Sequence, residues 1–323
     1  MKTILLAGGF ATRLWPLTEK TAKPLILLAG KPIISWILES LPPEMEVIIS
    51  TNAVFANDFE KWRKTYFPDR NIEVFVEDSF GENDKKGALF AISLVLQHKK
   101  IAEDLLVLAG DNYFGFSLSK FLEEFAKDKH LPLLAAYDIQ SFEKAKQFGV
   151  IVPKKENTSL VESFQEKPVR PLSTLISTGC FAFPQKYLAD IQEFAEKKRD
   201  DLGKIFEYFL ENGKDVRYFS FSEKWFDVGS FDAYLEANVF LLDGKVHKEF
   251  DVSIAGDANI SGSVFFGSNV TLLENVSVQN SCIFEGCTLQ NCRITDSVLG
   301  KNTFVANVDL ERKVIRDESF LMR

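Results

Sequence analysis

Over the first 140 residues, short apolar runs alternate with stretches whose apolar positions recur at helical spacing. The runs at residues 3–6, 47–50, 73–76, 105–109 and 133–137 predict strands. Between the first two, Ile33, Ile34, Ile37, Leu38 and Leu41 fall on one helical face, and Pro42-Pro43 stops the helix. Residues 88–96 predict a second helix and residues 120–125 a third. Strands that alternate with helices predict an α/β fold, doubly wound around a mostly parallel, Rossmann-like sheet. Such a sheet binds ligands beyond the carboxyl ends of its strands. Gly8-Gly9 and Gly110-Asp111 both fall at such ends.

From Gly149 to Asn238 the pattern is mixed. Residues 149–152, 160–164, 179–183 and 216–221 read as strands, and residues 190–199 and 205–211 as helices. This section is expected to extend the sheet and to build the second side of a cleft. A polar, glycine-containing boundary follows at residues 242–248. After Asp251 the period changes to six. One apolar row is Ile254, Ile260, Phe266, Leu272, Val278 and Phe284, and a second is Ala258, Val264, Val270, Val276, Cys282 and Thr288. Only Thr288 breaks the apolar character of these rows, so the period is a property of the segment. Glycine and asparagine crowd the gaps. A β-sandwich would show a period of two; a period of six is the hexapeptide signature of a parallel β-helix. The register slips near Gln290 and resumes through Ile294, Val298, Phe304 and Val308, enough for three or four coils. The expected organisation is a domain over 1–240 and a β-helix over 251–323.

Composition narrows the chemistry. A chain of 323 residues that is 46% hydrophobic and 26% charged can bury a large core, and its 30 phenylalanines predict an aromatic one. The net charge of −8 argues against generic nucleic-acid binding. Cations near the N-terminus are then local features, suited to a small anionic substrate. The first apolar run is too short for a signal peptide or a membrane span, so a cytoplasmic protein without a membrane partner is expected. Cys180, Cys282, Cys287 and Cys292 form no C-x-x-C pair, and there are only three histidines, so free thiols are expected rather than a zinc site.

The densest chemistry lies in the first 34 residues. Leu6-Ala7-Gly8-Gly9 closes an apolar strand, Arg13 follows in the loop, and Lys23 stands ten residues further on. Backbone amides and two cations at a strand end suit a polyphosphate. The spacing is neither a P-loop nor a dinucleotide fingerprint. The stretch Leu6–Thr18, with Lys23-Pro24-Leu25, resembles the signature of the sugar-1-phosphate nucleotidylyltransferases. Ala11 and Ala22 depart from it, standing where glycine and proline are common. The hexapeptide tail is similar to the left-handed β-helices that follow many such domains, above all the glucose-1-phosphate thymidylyltransferase-like branch.

The resemblance extends along the chain. It implies metal-binding carboxylates at Asp111, in Gly110-Asp111, and at Asp227, in Trp225-Phe226-Asp227-Val228-Gly229, where one or two carboxylates suffice for Mg²⁺. The motif runs on through Tyr234-Leu235-Glu236-Ala237-Asn238. Phe164-Gln165-Glu166-Lys167-Pro168 implies that Lys167 reaches a sugar phosphate and that Glu166 accepts from sugar hydroxyls, with Gly149 and Gly179 on the same side. Leu6, Ala7, Gly8, Gly9, Gly87 and Asp111 would line the nucleotide. Residues 81–89 depart most, because only Gly87-Ala88-Leu89 survives of a commoner G-T-A-G-A-L and Asp84, Lys85 and Lys86 occupy the rest.

The implied reaction is attack by a sugar 1-phosphate on the α-phosphorus of a nucleoside triphosphate. Arg13 would hold the triphosphate and Lys23 the transferring phosphoryl group. Arg13, Lys23, Asp111 and Lys167 are thus the candidate catalytic residues, with Mg²⁺ the expected cofactor. dTTP or UTP with glucose 1-phosphate is the favoured pair. Guanylyl transfer to mannose 1-phosphate and a non-catalytic regulatory subunit of the same fold are the alternatives. Acyl transfer by the tail is disfavoured, since no histidine follows His247. The open end of a β-helix exposes strand edges, so a homo-oligomer assembled through it is expected.

Overall fold

The computed structural model of the protein describes every residue except 82–86, 156–158, 199 and 201. The chain divides into two compact units, Met1–Phe10 with Ile34–Asp227, and Ala11–Ile33 with Val228–Arg323.

The first unit is built on β1 (Lys2–Leu6), which pairs in parallel with β2 (Val47–Asn52) on one side and β4 (Leu105–Ala109) on the other. β3 (Ile72–Glu77) continues the parallel set beyond β2. β1 and β4 are walled in on both sides, which is why they read as unbroken apolar runs rather than alternating ones. After β4 come the short β5 (Asn112–Phe114), then β6 (Leu133–Asp138), β7 (Gly149–Pro153), β8 (Val161–Glu166), β9 (Leu175–Phe183), β10 (Arg217–Phe221) and β11 (Trp225–Asp227). Among the described residues the main sheet has nine strands, in the order β8-β7-β9-β4-β1-β2-β3, with β6 joining β9 to β10. Only β8 and β9 run against the rest, so the expected mostly parallel, Rossmann-like α/β sheet is found. The chain winds outward through β1, β2 and β3, then returns to place β4 on the other side of β1. That reversal makes the β1/β4 crevice a topological switch point.

Helices α1 (Ile33–Ser40), α2 (Ala56–Tyr66), α3 (Ala88–Lys99) and α4 (Leu118–Lys127) connect the first strands; α5 (Phe142–Ala145), α6 (Leu188–Lys197) and α7 (Lys204–Glu211) follow. α2 escapes a reading by periodicity because Phe59 and Trp62 are its only buried side chains. The strand expected at 179–183 begins four residues earlier, at Leu175, and its pairing with β6 shifts register between Ser177 and Phe181. The helix expected at 190–199 spans Leu188–Lys197. The predicted aromatic core is present: Phe181, Phe183, Phe206 and Phe209 are buried together, with the Phe206 ring stacked 5.8 Å from Phe183 and lying 5.0 Å from Phe181.

The second unit contains α8 (Phe231–Leu242) and a β-helix of the left-handed hexapeptide type. Its described strands form three parallel sheets of five, five and four strands, the first strand being Val246–Lys248. The coils shorten along the helix. His247 pairs with Phe265, 18 residues on; Phe265 pairs with Cys282, 17 on; Cys282 pairs with Val298, 16 on. Three six-residue sides make the first coil, and loss of a residue at two corners makes the later ones. This corrects the expected rows. The first slip falls between Val278 and Ile283, not near Gln290. Ile283, Leu289, Ile294, Leu299, Val305 and Leu310 then fill the interior, while Phe284, Thr288, Phe304 and Val308 are partly exposed. Shorter coils also give more of them than three or four. Cys282 and Val298 are buried as well, but as the register partners of Phe265 on the face that α8 covers. A strand buried on both faces shows no period, which hid the slip.

Most asparagines of the tail sit at its corners. Asn269, Asn275, Asn280, Asn291, Asn302 and Asn307 all have φ between 45° and 58°. Asparagine tolerates this left-handed conformation better than other residues with a Cβ. The corners stack from coil to coil, as where Asn280 Oδ1 accepts from the Ser263 amide at 3.1 Å.

All four cysteines are free and buried. Burial pushes the thiols of Cys282 and Cys287 up to about 12 and that of Cys292 up to about 11, and raises Cys180 well above its ordinary value. Among the described residues no helix is long and apolar enough to cross a membrane. The native protein at pH 8 should therefore resist alkylation by iodoacetamide, since thiolate is the reactive form. Mass spectrometry should find four modified cysteines only after unfolding. A thiol that reacts within minutes in the native state would contradict this burial.

Candidate active site

The carboxyl edge of the first unit gathers most of the expected site residues. Leu6 ends β1 opposite Ala109, which ends β4, and the Gly110 amide donates to the Leu6 carbonyl at 2.9 Å. The Gly8-Gly9 and Gly110-Asp111 loops therefore leave neighbouring strands at the switch point. Ala7 still belongs to the sheet, because its amide donates to Ser50 at 2.8 Å. Leu6 and Ala7 thus frame the loop rather than offering it free amides.

A buried polar layer supports this loop. Thr51 Oγ1 donates to the Ala7 carbonyl at 3.2 Å and Asn52 Nδ2 to the Gly8 carbonyl at 3.0 Å. Ser50 Oγ donates to Glu77 Oε1 at 2.9 Å, and a Cβ on Gly8 would lie 2.8 Å from that same oxygen. Gly8 is glycine because Glu77 fills the space a side chain would take. Gly9, by contrast, faces open space. Ser50, Thr51, Asn52 and Glu77 are all buried and were missed from sequence. The available signal was the sudden turn to polar residues at the end of an apolar strand.

Asp111 follows β4 and takes a hydrogen bond from Asn112 Nδ2 at 2.8 Å. Asp227 closes β11, which pairs antiparallel with β5 so that Asp227 lies directly opposite Asn112. Two carboxylates 116 positions apart in the chain are thereby brought within one residue of register on neighbouring strands. Among the described residues no group of three or more His, Cys, Asp or Glu side chains forms a closed metal cage. One or two carboxylates are enough for a hard divalent cation that keeps waters and takes its remaining ligands from phosphate oxygens.

The other side of the edge is built from β7, β8 and α7. Glu166 ends β8 opposite Gly149, and its amide donates to Glu207 Oε1 at 2.8 Å. Its side chain is mostly buried between two glycines: a Cβ would come within 3.2 Å of Glu166 Oε2 from Gly149 and within 1.8 Å from Gly203. Gly203 was not singled out from sequence, since a lone glycine before a helix is an ordinary feature. Lys167 has a left-handed backbone (φ 47°), and its exposed ammonium stands 3.5 Å from Glu166 Oε1. Gly179 adopts φ 77°, and its absent Cβ leaves room for Ala109, so backbone conformation and local packing both favour glycine there. Gly87 precedes α3 with φ 89°. The departures at Asp84, Lys85 and Lys86 lie outside the described residues.

Arg13 and Lys23 belong to the second unit. Arg13 is exposed in a short 3-10 turn (Thr12–Leu14), while Lys23 is buried at the start of another (Lys23–Leu25). Ala11, where glycine is common, has φ 49° and ψ 43°, and its carbonyl accepts from Thr18 Oγ1 at 2.7 Å. The departure from the common pattern thus falls on a residue that needs the conformation glycine adopts most readily.

A glycine loop at the switch point of a doubly wound sheet, in a chain that also carries a hexapeptide β-helix, is the arrangement expected of a nucleotidyl-transferring enzyme. The chain belongs to the nucleotidyl transferase family, whose model matches residues 2–244. It is similar to a protein provisionally named mannose-1-phosphate guanyltransferase from Sulfolobus acidocaldarius, at 27% identity over 287 residues, 88% of this chain and 76% of that protein. It is 29% identical over 334 residues to a glucose-1-phosphate adenylyltransferase from Clostridium botulinum, covering 94% of this chain and 82% of the relative. In fold it is similar to a crystal structure assigned as a glucose-1-phosphate thymidylyltransferase from Bacillus anthracis, with a TM-score of 0.64 and 24% identity, covering 74% of this chain and 94% of the other. Enzymes of the family generally use a divalent metal.

Gly203→Ala is expected to push Glu166 out of its cradle. Thermal unfolding and intrinsic fluorescence should show a folded protein, and a crystal structure should show the Glu166 carboxylate displaced by more than 1 Å, about the overlap to be relieved. An unmoved Glu166 would mean that α7 gives way instead.

Proposed function

We propose that the chain transfers a nucleotidyl group from a nucleoside triphosphate to a hexose 1-phosphate, releasing pyrophosphate, with dTTP or UTP and glucose 1-phosphate as substrates. The observation that carries this reading is the register of Asp227 opposite Asn112, the residue after Asp111, on strands that follow the one beside the Gly8-Gly9 loop. The named acceptors of the relatives support a sugar 1-phosphate. The pattern of residues 225–238 supports the pyrimidine choice.

In this reading an oxygen of the sugar phosphate attacks the α-phosphorus. A new P–O bond forms, and the bond to the β-phosphate oxygen breaks. The attacking oxygen is already anionic at neutral pH, so no side chain need act as general base. Catalysis rests on alignment and charge neutralisation. Arg13 and Lys23 neutralise the triphosphate. Lys167 neutralises the acceptor phosphate, and Glu166 accepts from sugar hydroxyls beside Gly149 and Gly179. Leu6, Ala7, Gly8, Gly9 and Gly87 frame the nucleotide. Asp111 and Asp227 would hold Mg²⁺, which when bound neutralises phosphate charge. The work is divided between a catalytic domain over 1–240 and a β-helix over 251–323 that assembles copies of the chain. The acidic net charge and free thiols support a cytoplasmic enzyme acting on small substrates.

A panel of dTTP, UTP, GTP and ATP against glucose, mannose and N-acetylglucosamine 1-phosphates, read by pyrophosphate release, should favour a pyrimidine nucleotide with glucose 1-phosphate. Preference for GTP with mannose 1-phosphate, or for ATP, would overturn the substrate choice and leave the reaction standing. Release with no pair would leave only a regulatory subunit.

Asp111→Asn and Asp227→Asn should each lower kcat by roughly a hundredfold or more at saturating Mg²⁺, with unfolding midpoints little changed. Near-normal rates in both would remove the metal assignment. Lys167→Ala should raise KM for the sugar phosphate by about tenfold, the scale of one charge-assisted contact, and leave KM for the nucleotide alone. Equal effects on both substrates would take Lys167 off the acceptor side.

A further inference from the structure

The residues Tyr234 and Asn238 of α8 reach into the segment that carries Lys23. Tyr234 is fully buried and donates from Oη to the Leu27 carbonyl at 2.7 Å. Asn238 is equally shielded: its Oδ1 accepts from the Ala29 amide at 2.8 Å, and its Nδ2 donates to the Tyr234 carbonyl at 2.8 Å. Both residues thus hold one small hairpin, Leu27–Leu28 against Lys31–Pro32.

The hairpin needs holding. Its two turn residues, Ala29 (φ 51°) and Gly30 (φ 91°), both have positive φ. Two-residue hairpin turns favour this, but normally with asparagine, aspartate or glycine first. Alanine has no side chain with which to support the left-handed conformation, and Asn238 supplies a hydrogen bond to its amide from outside. On Gly30 the ring of His247, from the first strand of the β-helix, packs so closely that a Cβ would lie 2.8 Å from Nε2. The base of the hairpin runs directly into the Lys23 turn. The Ile26 carbonyl accepts from the Ile33 amide at 3.1 Å, and the Ile26 amide donates to the Lys23 carbonyl at 3.2 Å.

The same segment is tied further back by Glu19 to Arg316 at 3.0 Å. That pair is solvent-accessible, and exposed ion pairs contribute little. The buried hydrogen bonds dominate, because water cannot replace a lost partner there.

We propose that Tyr234 and Asn238 are positioning residues that place the Lys23 ammonium for the transferring phosphate by fixing the hairpin behind it. This rests on the reading of Lys23 as a substrate-contacting residue. It gives the Tyr234–Asn238 part of the motif a task in the reaction, although neither side chain touches substrate.

The test is a double-mutant cycle on the full chain, with Lys23→Ala, Asn238→Ala and the double variant, assayed with the best substrate pair from the panel. Asn238→Ala should lower kcat about ten- to hundredfold, the scale expected when a catalytic group is misplaced by about an ångström. Both KM values should stay within about twofold. Added to Lys23→Ala, it should cost nothing more, because no ammonium remains to be placed. Tyr234→Phe should show a smaller loss of the same kind, and it keeps the test decisive if Asn238→Ala fails to fold. Multiplying losses in the double variant, or unchanged kcat in Tyr234→Phe and Asn238→Ala, would overturn the proposal. If Lys23→Ala itself retains normal kcat, the reading of Lys23 falls and this inference falls with it; multiplying losses with an impaired Lys23→Ala would sink the inference alone.

Discussion

The position of β1 between β2 and β4 is the constraint on which the candidate site depends. Thr3, Ile4 and Leu5 are fully or almost fully buried, and the strand has parallel neighbours on both sides. A strand held this way cannot slide, because a slip would break the hydrogen-bond ladders on both of its edges and force close-packed side chains on both faces to repack. Its end therefore presents Gly8 at a defined height beside Asp111. The polar layer beneath, from Ser50 to Asn52 with Glu77, extends the same rigidity past the last ladder hydrogen bond. Glu77 is costly to bury, and the hydrogen bond from Ser50 and its tight fit against Gly8 are part of what makes it tolerable.

Glycine has two different uses in the first unit. At Gly8 and Gly203 the missing Cβ makes room for a carboxylate from elsewhere in the chain, and at Gly149 chiefly for the Phe164 ring that lies beside Glu166. At Gly87 and Gly179 the backbone itself requires it. The first use matters for chemistry, because it lets Glu77 and Glu166 be held by close contact on several sides. A carboxylate held in this way loses little freedom when it meets a ligand, which is the physical content of preorganisation.

The second unit joins distant parts of the chain in a comparable way. The signature segment Ala11–Ile33 is compact with Val228–Arg323, not with the strand that precedes it. The asparagine corners recur along the β-helix, and α8 packs against the strand that holds Phe265, with Tyr234 beside Cys282 on the next coil. The same helix face then holds the hairpin behind Lys23. One buried surface thus serves both the packing of the tail and the geometry of a candidate catalytic lysine.

Much of this was legible in the order of the residues. The strands at 105–109 and near 3–6, 47–50 and 133–137, the helices starting at Ile33 and Ala88, and the six-residue period of the tail are local patterns, and local patterns survive in sequence. So did the family, because its motifs are short and contiguous. What only the tertiary structure decided depends on residues far apart in the chain. The coil shortening was hidden because one sheet is buried on its outer face too, which erases the alternation at Cys282-Ile283 and Val298-Leu299. Gly203 carries no local signal, Glu77 only a turn to polar character at a strand end, and Asn238 only its place in a motif, since what each does depends on a partner at Glu166, Gly8 or Ala29. Pairing of Asp227 with the strand that follows Asp111 likewise required the sheet to bring them together. Sequence determines which side chains favour a strand, a turn or a charge; only the closed fold determines which of them share a space.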